Sequence, residues 1–137
     1  MNEIVADGGC LCGAVRYSIK GELIWSGYCH CESCRRHTSS PVASFIDVHE
    51  KDMMFHGDNL KVYKSSENVE RSFCNVCGTP ISYLTHDRPG EIQLYTMTLD
   101  FPEKVGPSEH VHCEERLPWF QVDDSLPRFD GSALDDD

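Results

Sequence analysis

The sequence predicts a mainly β protein, built from short antiparallel strands with few and short helical turns. Two observations predict this class. Apolar and polar residues alternate over short runs, as in residues 14–20, where Val15, Tyr17 and Ile19 fall on one side. Turn-forming glycine, proline, asparagine and aspartate residues separate these runs. Repeated short strands between such turns are typical of an all-β domain.

The predicted strands follow one another along most of the chain. The first covers residues 14–20 and closes at Gly21. The later ones cover residues 42–48, 53–55, 60–63, 69–73, 80–84 and 91–99. Each of these runs is rich in β-branched, aromatic or alternating apolar residues, which pack well on a pleated surface.

Two segments depart from the strand pattern. Residues 32–40 are polar and predict a short helical turn that begins at Cys31 or Cys34, and Pro41 limits its length. The last third of the chain is rich in proline and aromatic residues. There we expect an irregular wrap with a short strand around residues 110–113, anchored by three aromatic residues, Trp119, Phe120 and Phe129.

Length and composition predict one domain spanning residues 1–137. Hydrophobic residues make up 39% of the chain, which is somewhat low for an independently folding domain of this size. Bound metal ions would supply the missing cross-links. We expect the acidic end of the chain, about residues 131–137, to be flexible.

Charge and hydropathy disfavour several partners. The formal net charge of −11 repels phosphate backbones, so a nucleic-acid role is not expected. No apolar stretch approaches the roughly 20 residues of a membrane span. The first residues lack the basic start and apolar run of a signal peptide, which predicts a cytoplasmic protein with reduced thiols. The sequence does not predict an oligomeric state.

Four of the eight cysteines form two close pairs, Cys10 with Cys12 and Cys74 with Cys77. Spacings of this kind suit a shared metal better than separate disulfides. Two pairs complete a tetrahedral site with four sulfur ligands, and Gly78 allows the tight turn after the second pair. We therefore predict a structural zinc that ties the first strand to the middle of the sheet.

Three further cysteines, Cys29, Cys31 and Cys34, fall within six residues. Such a loop wraps around one centre and is one ligand short of a closed zinc site. An open coordination position would make this site catalytic. The alternative is a second structural zinc, completed by Cys113, by a histidine elsewhere, or by His30 of the loop itself. A buried, hydrophobic Cys113 is the favoured interpretation of the eighth cysteine.

The ligand set limits the chemistry of an open site. Three thiolates leave one net negative charge on a zinc centre and weaken its pull on a bound water. Activation of a substrate thiol is then favoured over hydrolysis. Arg35 and Arg36 follow the three cysteines directly and are candidates for holding a substrate carboxylate.

The histidines carry a weaker signal. His30 and His37 lie near the three cysteines in sequence, and surface or packing roles are more typical of such residues than acid or base roles. His110 and His112 share a face of the predicted last strand, where either metal binding or simple exposure explains them.

Several segments resemble one known family. They occur in this order along the chain: GGCLCGAVRY, CHCESCRR, FCNVCGTPI, TLDFP, HVH and PWF. The similar stretch covers most of the chain, from Gly9 to about Phe129. In this order the chain resembles the glutathione-dependent formaldehyde-activating enzyme family, which also includes centromere protein V. After CHCESCRR the chain has residues 37–40, HTSS, where family members often carry a glycine-serine step.

The resemblance implies a β-tent fold with two zinc ions per chain. It implies a structural site at Cys10, Cys12, Cys74 and Cys77, and a catalytic site at Cys29, Cys31 and Cys34. The implied activity is that of a carbon-sulfur lyase, which joins a small thiol, glutathione, to a small aldehyde, formaldehyde, in S-(hydroxymethyl)glutathione. The rival hypothesis is a zinc-stapled β domain without turnover, which binds a partner protein or carries a thiol.

Overall fold

The computed structural model of the protein describes residues 2–132. In this part of the chain nine strands pair with one another, and one short α-helix, α1, spans Glu32–Thr38. The strands are β1 Glu3–Gly9, β2 Arg16–Cys29, β3 Ala43–His49, β4 Met53–His56, β5 Leu60–Ser66, β6 Val69–Cys74, β7 Pro80–Thr85, β8 Glu91–Tyr95 and β9 His110–Val111. Single 3-10 turns occupy Glu50–Asp52, Thr96–Thr98, Pro102–Lys104 and Cys113–Glu115. The prediction of a mainly β fold with few short helical turns is confirmed.

The long strand β2 joins two groups of strands. Its first half pairs antiparallel with β1 and with β4. Its second half pairs antiparallel with β3, and the register shifts between Leu23 and Trp25. From β3 the sheet continues in the order β8, β7, β6, β5, and β9 adds a short parallel pairing at the end of β2. Cys29, the last residue of β2, therefore lies where β2, β3 and β9 meet.

The prediction that the first strand closes at Gly21 is wrong. Strand β2 continues for 14 residues to Cys29, and Gly21 pairs with Ile4 of β1. The glycine is needed for close approach, because a β-carbon at this position would collide with the carboxyl group of Asp52. A glycine inside a strand marks such an approach as readily as a turn.

Other predicted boundaries change as well. Strand β1 was not predicted, since Glu3–Gly9 lacks a clean alternation and buries little besides Ile4 and Gly8. The predicted strand 91–99 ends at Tyr95, because Thr98 turns back and donates a hydrogen bond from Oγ1 to the Tyr95 carbonyl at 2.7 Å. The last strand contains only residues 110 and 111.

Two hydrophobic cores lie on opposite faces of strands β3 and β8. Ile46 and Leu94 belong to a core that also contains Cys10 and Cys74. Their neighbours Phe45 and Tyr95 belong to a second core, which contains Cys29 and Cys34. Successive side chains of a strand point to opposite faces, so each cysteine group has its own core and the same two strands separate them.

The end of the described chain only partly follows the prediction. Phe120 and Phe129 are half-buried, but Trp119 is 71% exposed and does not anchor this segment. Of the predicted flexible end at residues 131–137, residues 133–137 lie outside the described residues. From residue 2 to 132, the structure contains no helix with the length and apolar character that a bilayer crossing requires.

Candidate metal centres

The first cysteine group joins two distant turns. Cys10 and Cys12 lie in the turn after β1, and Cys74 and Cys77 lie where β6 ends. Their four sulfur atoms all lie within 4.8 Å of one another. The Sγ atoms of Cys10 and Cys12 are 3.6 Å apart, and those of Cys12 and Cys74 are 3.9 Å apart. Tetrahedral zinc with Zn–S bonds of about 2.3 Å spaces its sulfurs by roughly 3.8 Å, so the group fits this metal.

Backbone and hydroxyl donors surround these sulfurs. The amide of Val15 donates to Cys10 Sγ at 3.2 Å, and the amide of Val76 donates to Cys74 Sγ at 3.3 Å. Hydrogen bonds from Thr79 lower the pKa of Cys77 to about 5. Donors of this kind stabilise thiolates, which are the form that binds a metal.

The second cysteine group is local. Cys29 ends β2, Cys31 caps the N-terminus of α1, and Cys34 lies in the first turn of that helix. The Cys31 sulfur accepts a hydrogen bond from the Cys34 amide at 3.4 Å, the role that a serine or aspartate oxygen usually has. The helix ends at Ser39, whose φ of 54° is left-handed. The predicted helical turn is confirmed, and its cap brings the sulfurs of Cys31 and Cys34 close to that of Cys29 at the end of β2.

No fourth protein ligand joins this group within residues 2–132. The three sulfurs lie within 4.8 Å of one another, and the group contains neither a histidine nor Cys113. Cys113 is 4% exposed and opens a 3-10 turn, which agrees with its predicted role as a buried hydrophobic residue. All eight thiols are free, so disulfides do not compete with metal binding.

His30 takes part in a different network. Its Nε2 lies 2.8 Å from Nδ1 of His110, and Nε2 of His110 lies 3.1 Å from a carboxylate oxygen of Asp124. Because a carboxylate only accepts, His110 donates from Nε2 and receives the hydrogen bond of His30 at Nδ1. Burial lowers the pKa of His30 to about 4. These hydrogen bonds hold His30, the residue between Cys29 and Cys31, in place.

The histidines at 110 and 112 do not share a site. His110 is 1% exposed and stacks on Tyr28 at 4.7 Å. His112 adopts a left-handed φ of 54° and lies near Glu114 and Glu115, at 3.4 and 3.8 Å. The shared face that alternation predicted is lost because the backbone turns at residue 112.

Sequence reasoning missed Arg71. This residue of β6 is 6% exposed, and its Nη1 and Nη2 atoms lie 3.8 and 3.9 Å from the Sγ of Cys34. Its guanidinium also donates to the Tyr95 hydroxyl at 3.2 Å and lies over the Tyr83 ring, 4.9 Å from the centroid. The signal was in the pattern of β6, where positions 69, 71 and 73 alternate and place an arginine on the face of valine and phenylalanine.

A hydrogen bond connects Tyr95 to His37. Since the Tyr95 oxygen accepts from Arg71, its own hydrogen is available for Nδ1 of His37, which lies 2.6 Å away. His37 then carries its proton on Nε2. Burial, with the nearby charge of Arg71, lowers the pKa of His37 to about 4, so the ring is neutral at neutral pH.

The two arginines after the cysteines point in different directions. Arg35 donates from Nε to the carbonyl of His30 at 3.0 Å and from Nη2 to the carbonyl of Glu115 at 3.1 Å. Its guanidinium therefore binds two backbone carbonyl groups, those of His30 and Glu115. Arg36 is 80% exposed, pairs with Glu32 at 2.9 Å and lines the cavity described next. A role for either in substrate binding stays a prediction.

A cavity of about 820 Å³ opens beside the three cysteines. All three contribute to its wall, together with His37, Arg71 and residues from the strands β5 to β8. This volume lies in the range of small-molecule sites. The four-cysteine group is not part of its wall.

At the far wall, Arg88 pairs with Asp47 at 3.1 Å. Asp47 is 0% exposed, and its Oδ1 has no hydrogen-bond partner in the described residues. Burial, followed by the neighbouring Glu91, raises the pKa of Asp47 to about 8. The carboxyl group is thus protonated at neutral pH in the folded protein.

The fold and the two cysteine groups define a β domain that can hold metal ions at two places. Residues 5–115 match the sequence model of the glutathione-dependent formaldehyde-activating enzyme family. The chain belongs to this family, which confirms the resemblance seen in the motifs.

One relative and one solved structure show how far the similarity extends. A Schizosaccharomyces pombe protein described as an uncharacterized lyase is 36% identical over 77 residues, which are 56% of this chain and 56% of that protein. The chain thus matches just over half the length of this relative. The crystal structure of a Rhodobacter sphaeroides protein, a structural genomics target, covers 89% of this chain and 98% of its own, with 21% identity and a TM-score of 0.58. The second likeness shows a shared fold.

Proposed function

We propose that this protein is a carbon-sulfur lyase of the glutathione-dependent formaldehyde-activating type. It joins a thiol such as glutathione to a small aldehyde such as formaldehyde, giving an S-hydroxymethyl adduct, or catalyses the reverse reaction. The observation that carries the proposal is a group of three cysteine sulfurs in the wall of a cavity, without a fourth protein ligand in residues 2–132. Membership of the family and the relative described as a lyase support the same reaction class.

Zinc is the metal we propose for both groups, because thiolate-rich tetrahedral sets favour it. Cys10, Cys12, Cys74 and Cys77 would hold the structural ion. Cys29, Cys31 and Cys34 would hold the catalytic ion. Zinc bound there supplies Lewis acidity and keeps a substrate thiol in its thiolate form near neutral pH.

The chain's own residues position the reactants. The cavity holds thiol and aldehyde together, which replaces a bimolecular encounter by a local one. Arg36 is available to a substrate carboxylate at the cavity wall, while Arg35 keeps the loop backbone in place. The sulfur electron pair forms the new C–S bond, the carbonyl pair moves to oxygen, and that oxygen takes a proton from solvent. No protein nucleophile is required.

The proposed partners are small molecules. A net charge of −11 opposes nucleic-acid binding. We also propose a cytoplasmic location, because seven metal-binding thiols stay reduced most readily in a reducing compartment.

The test combines metal analysis with an exchange measurement. The purified full chain is expected to contain two zinc ions and to accelerate the exchange of formaldehyde with glutathione, followed by NMR, above the rate without protein. Cys31→Ala should retain one zinc and lose the acceleration. If wild-type protein with two zinc ions gives no acceleration and binds no thiol, the lyase proposal is wrong and the rival, a zinc-stapled binding domain, takes its place.

A further inference from the structure

Arg71 is a buried cation that has no carboxylate partner in the described part of the chain. Two other arginines of the cavity wall have one, since Arg36 pairs with Glu32 at 2.9 Å and Arg88 pairs with Glu91 at 3.8 Å. No carboxylate within residues 2–132 pairs with Arg71, although the residue is only 6% exposed. An uncompensated buried charge is strongly destabilising. Its compensation must therefore come from the groups that it touches.

The sulfur of Cys34 is the group in contact with Arg71 that carries a negative charge once it binds a metal. Both terminal nitrogens of Arg71 face it at nearly equal distances, 3.8 and 3.9 Å. The other contacts are the Tyr95 hydroxyl and the Tyr83 ring, which are neutral. A thiolate at Cys34 is thus the natural counter-charge, as a bound metal would require.

The fold holds this arginine in place. Strand β6 points Arg71 to one face of the sheet, and Cys74, three residues later, belongs to the core on the other face. Arg71 pairs across the strands with Tyr83, whose ring lies under the guanidinium. The same strand thus supplies a ligand to the four-cysteine group and a cation to the three-cysteine group.

We propose that Arg71 sets the affinity of the three-cysteine site for a negatively charged ligand from outside, and so selects a thiolate. The inference rests on the proposed function. Three thiolates on a divalent zinc leave one net negative charge, and a fourth would make it two. The guanidinium of Arg71 offsets one of these charges beside the cavity, where water screens it poorly. Arg71 acts through the cysteine ligands and is a positioning residue.

The test measures ligand binding rather than turnover. The full chain is loaded with Co²⁺ at both sites and titrated with 2-mercaptoethanol, which lacks a carboxylate, and separately with imidazole, which binds as a neutral ligand. The cobalt absorption bands report both affinities. Removal of an opposite charge at this distance changes a protonation equilibrium by one unit or more, so Arg71→Met should weaken the thiol by about tenfold or more and imidazole by less than about twofold.

Two further variants separate the causes. Arg71→Lys keeps the charge and should bind the thiol within about threefold of wild type. Lys64→Met, on the neighbouring strand and outside the cavity wall, removes the same charge and should leave both affinities unchanged. Cobalt at the four-cysteine site reports that each variant is folded.

Three results would overturn the proposal. Thiol affinity in Arg71→Met could equal that of wild type, or it could fall together with that of imidazole, which would indicate a change of shape rather than charge. A loss of tenfold in Arg71→Lys would exclude charge as the cause, even if Arg71→Met fails to fold. Absence of thiol binding in wild type would instead refute the proposed function, so the two failures are distinguishable.

Discussion

The two cysteine groups differ in what they connect. The four-cysteine group joins turns that are 62 positions apart in sequence, and Cys10, Cys74 and Cys77 lie in or against the larger core. The three-cysteine group draws its ligands from six consecutive residues at the end of β2 and the start of α1. It faces a cavity of about 820 Å³. A site that ties distant segments stabilises the fold, whereas a local site beside a cavity is free to serve chemistry.

The largest expected effect comes from removing one ligand of each group. Cys74→Ala should lose the metal that joins β1 to β6 and lower the free energy of unfolding by on the order of 5 kcal/mol, or prevent folding. Cys31→Ala should remain folded with one metal ion. Chemical denaturation and metal analysis of both variants provide the comparison. Equal loss of stability in the two variants would contradict the division into structural and catalytic sites.

The next prediction concerns whether Cys113 belongs to the three-cysteine site. Cys113→Ala should retain two zinc ions, because Cys113 does not belong to the three-cysteine group. We expect it to lower stability by about 1 kcal/mol through lost packing of a buried side chain. Metal analysis after dialysis measures the first quantity and denaturation the second. A variant with one zinc ion would show that Cys113 closes the second site.

A third effect concerns the pH dependence of the sheet rather than the metal sites. The pKa of Asp47 is raised in the folded protein to about 8, above its ordinary value of 3.8, by burial. Its contribution to stability is therefore present below about pH 4 and is lost as the pH rises toward about 8. Metal binding has the opposite trend, because thiols must lose protons to bind.

Asp47→Asn should remove the loss of stability that Asp47 causes as the pH rises, and it should leave the pH dependence of metal binding unchanged. The stability of the variant relative to wild type is expected to rise between pH 4 and pH 8, measured by urea denaturation at several pH values with zinc present. A constant difference across this range would show that Asp47 does not hold its proton in the folded protein.

The smallest expected effect is at Arg36. Its pair with Glu32 is exposed, so Arg36→Ala should change the free energy of unfolding by less than about 0.5 kcal/mol. If this side chain holds a substrate carboxylate, KM for glutathione should rise about threefold to tenfold, while KM for 2-mercaptoethanol stays the same. Steady-state kinetics with both thiols tests this. An equal rise for both would exclude the carboxylate contact.

The division of seven cysteines into a group of four and a group of three could be predicted from the sequence, because cysteine spacing is a local signal. The pairs at 10 and 12 and at 74 and 77 come together as predicted, as do Cys29, Cys31 and Cys34. The helix after Cys31 followed from the polar segment and Pro41. Local patterns of this kind need no knowledge of the fold.

What the sequence did not reveal depends on contacts between distant segments. Arg71 and Cys34 are 37 positions apart in sequence, and only the fold brings their side chains together. Gly21 looks like a turn until Asp52 is placed beside it. The bond between His30 and His110 links positions 80 apart. Each is decided by tertiary packing, which a short window of sequence does not contain.

One measurement tests most directly whether the two sites differ in their number of protein ligands. It is a crystal structure of the zinc-loaded protein soaked with glutathione, with the metals located by zinc anomalous scattering. We predict four protein sulfurs around the ion at Cys10, Cys12, Cys74 and Cys77. Around the other ion we predict three protein sulfurs and the sulfur of glutathione. A side chain of this protein as the fourth ligand at Cys29, Cys31 and Cys34, with no glutathione sulfur bound, would contradict the account.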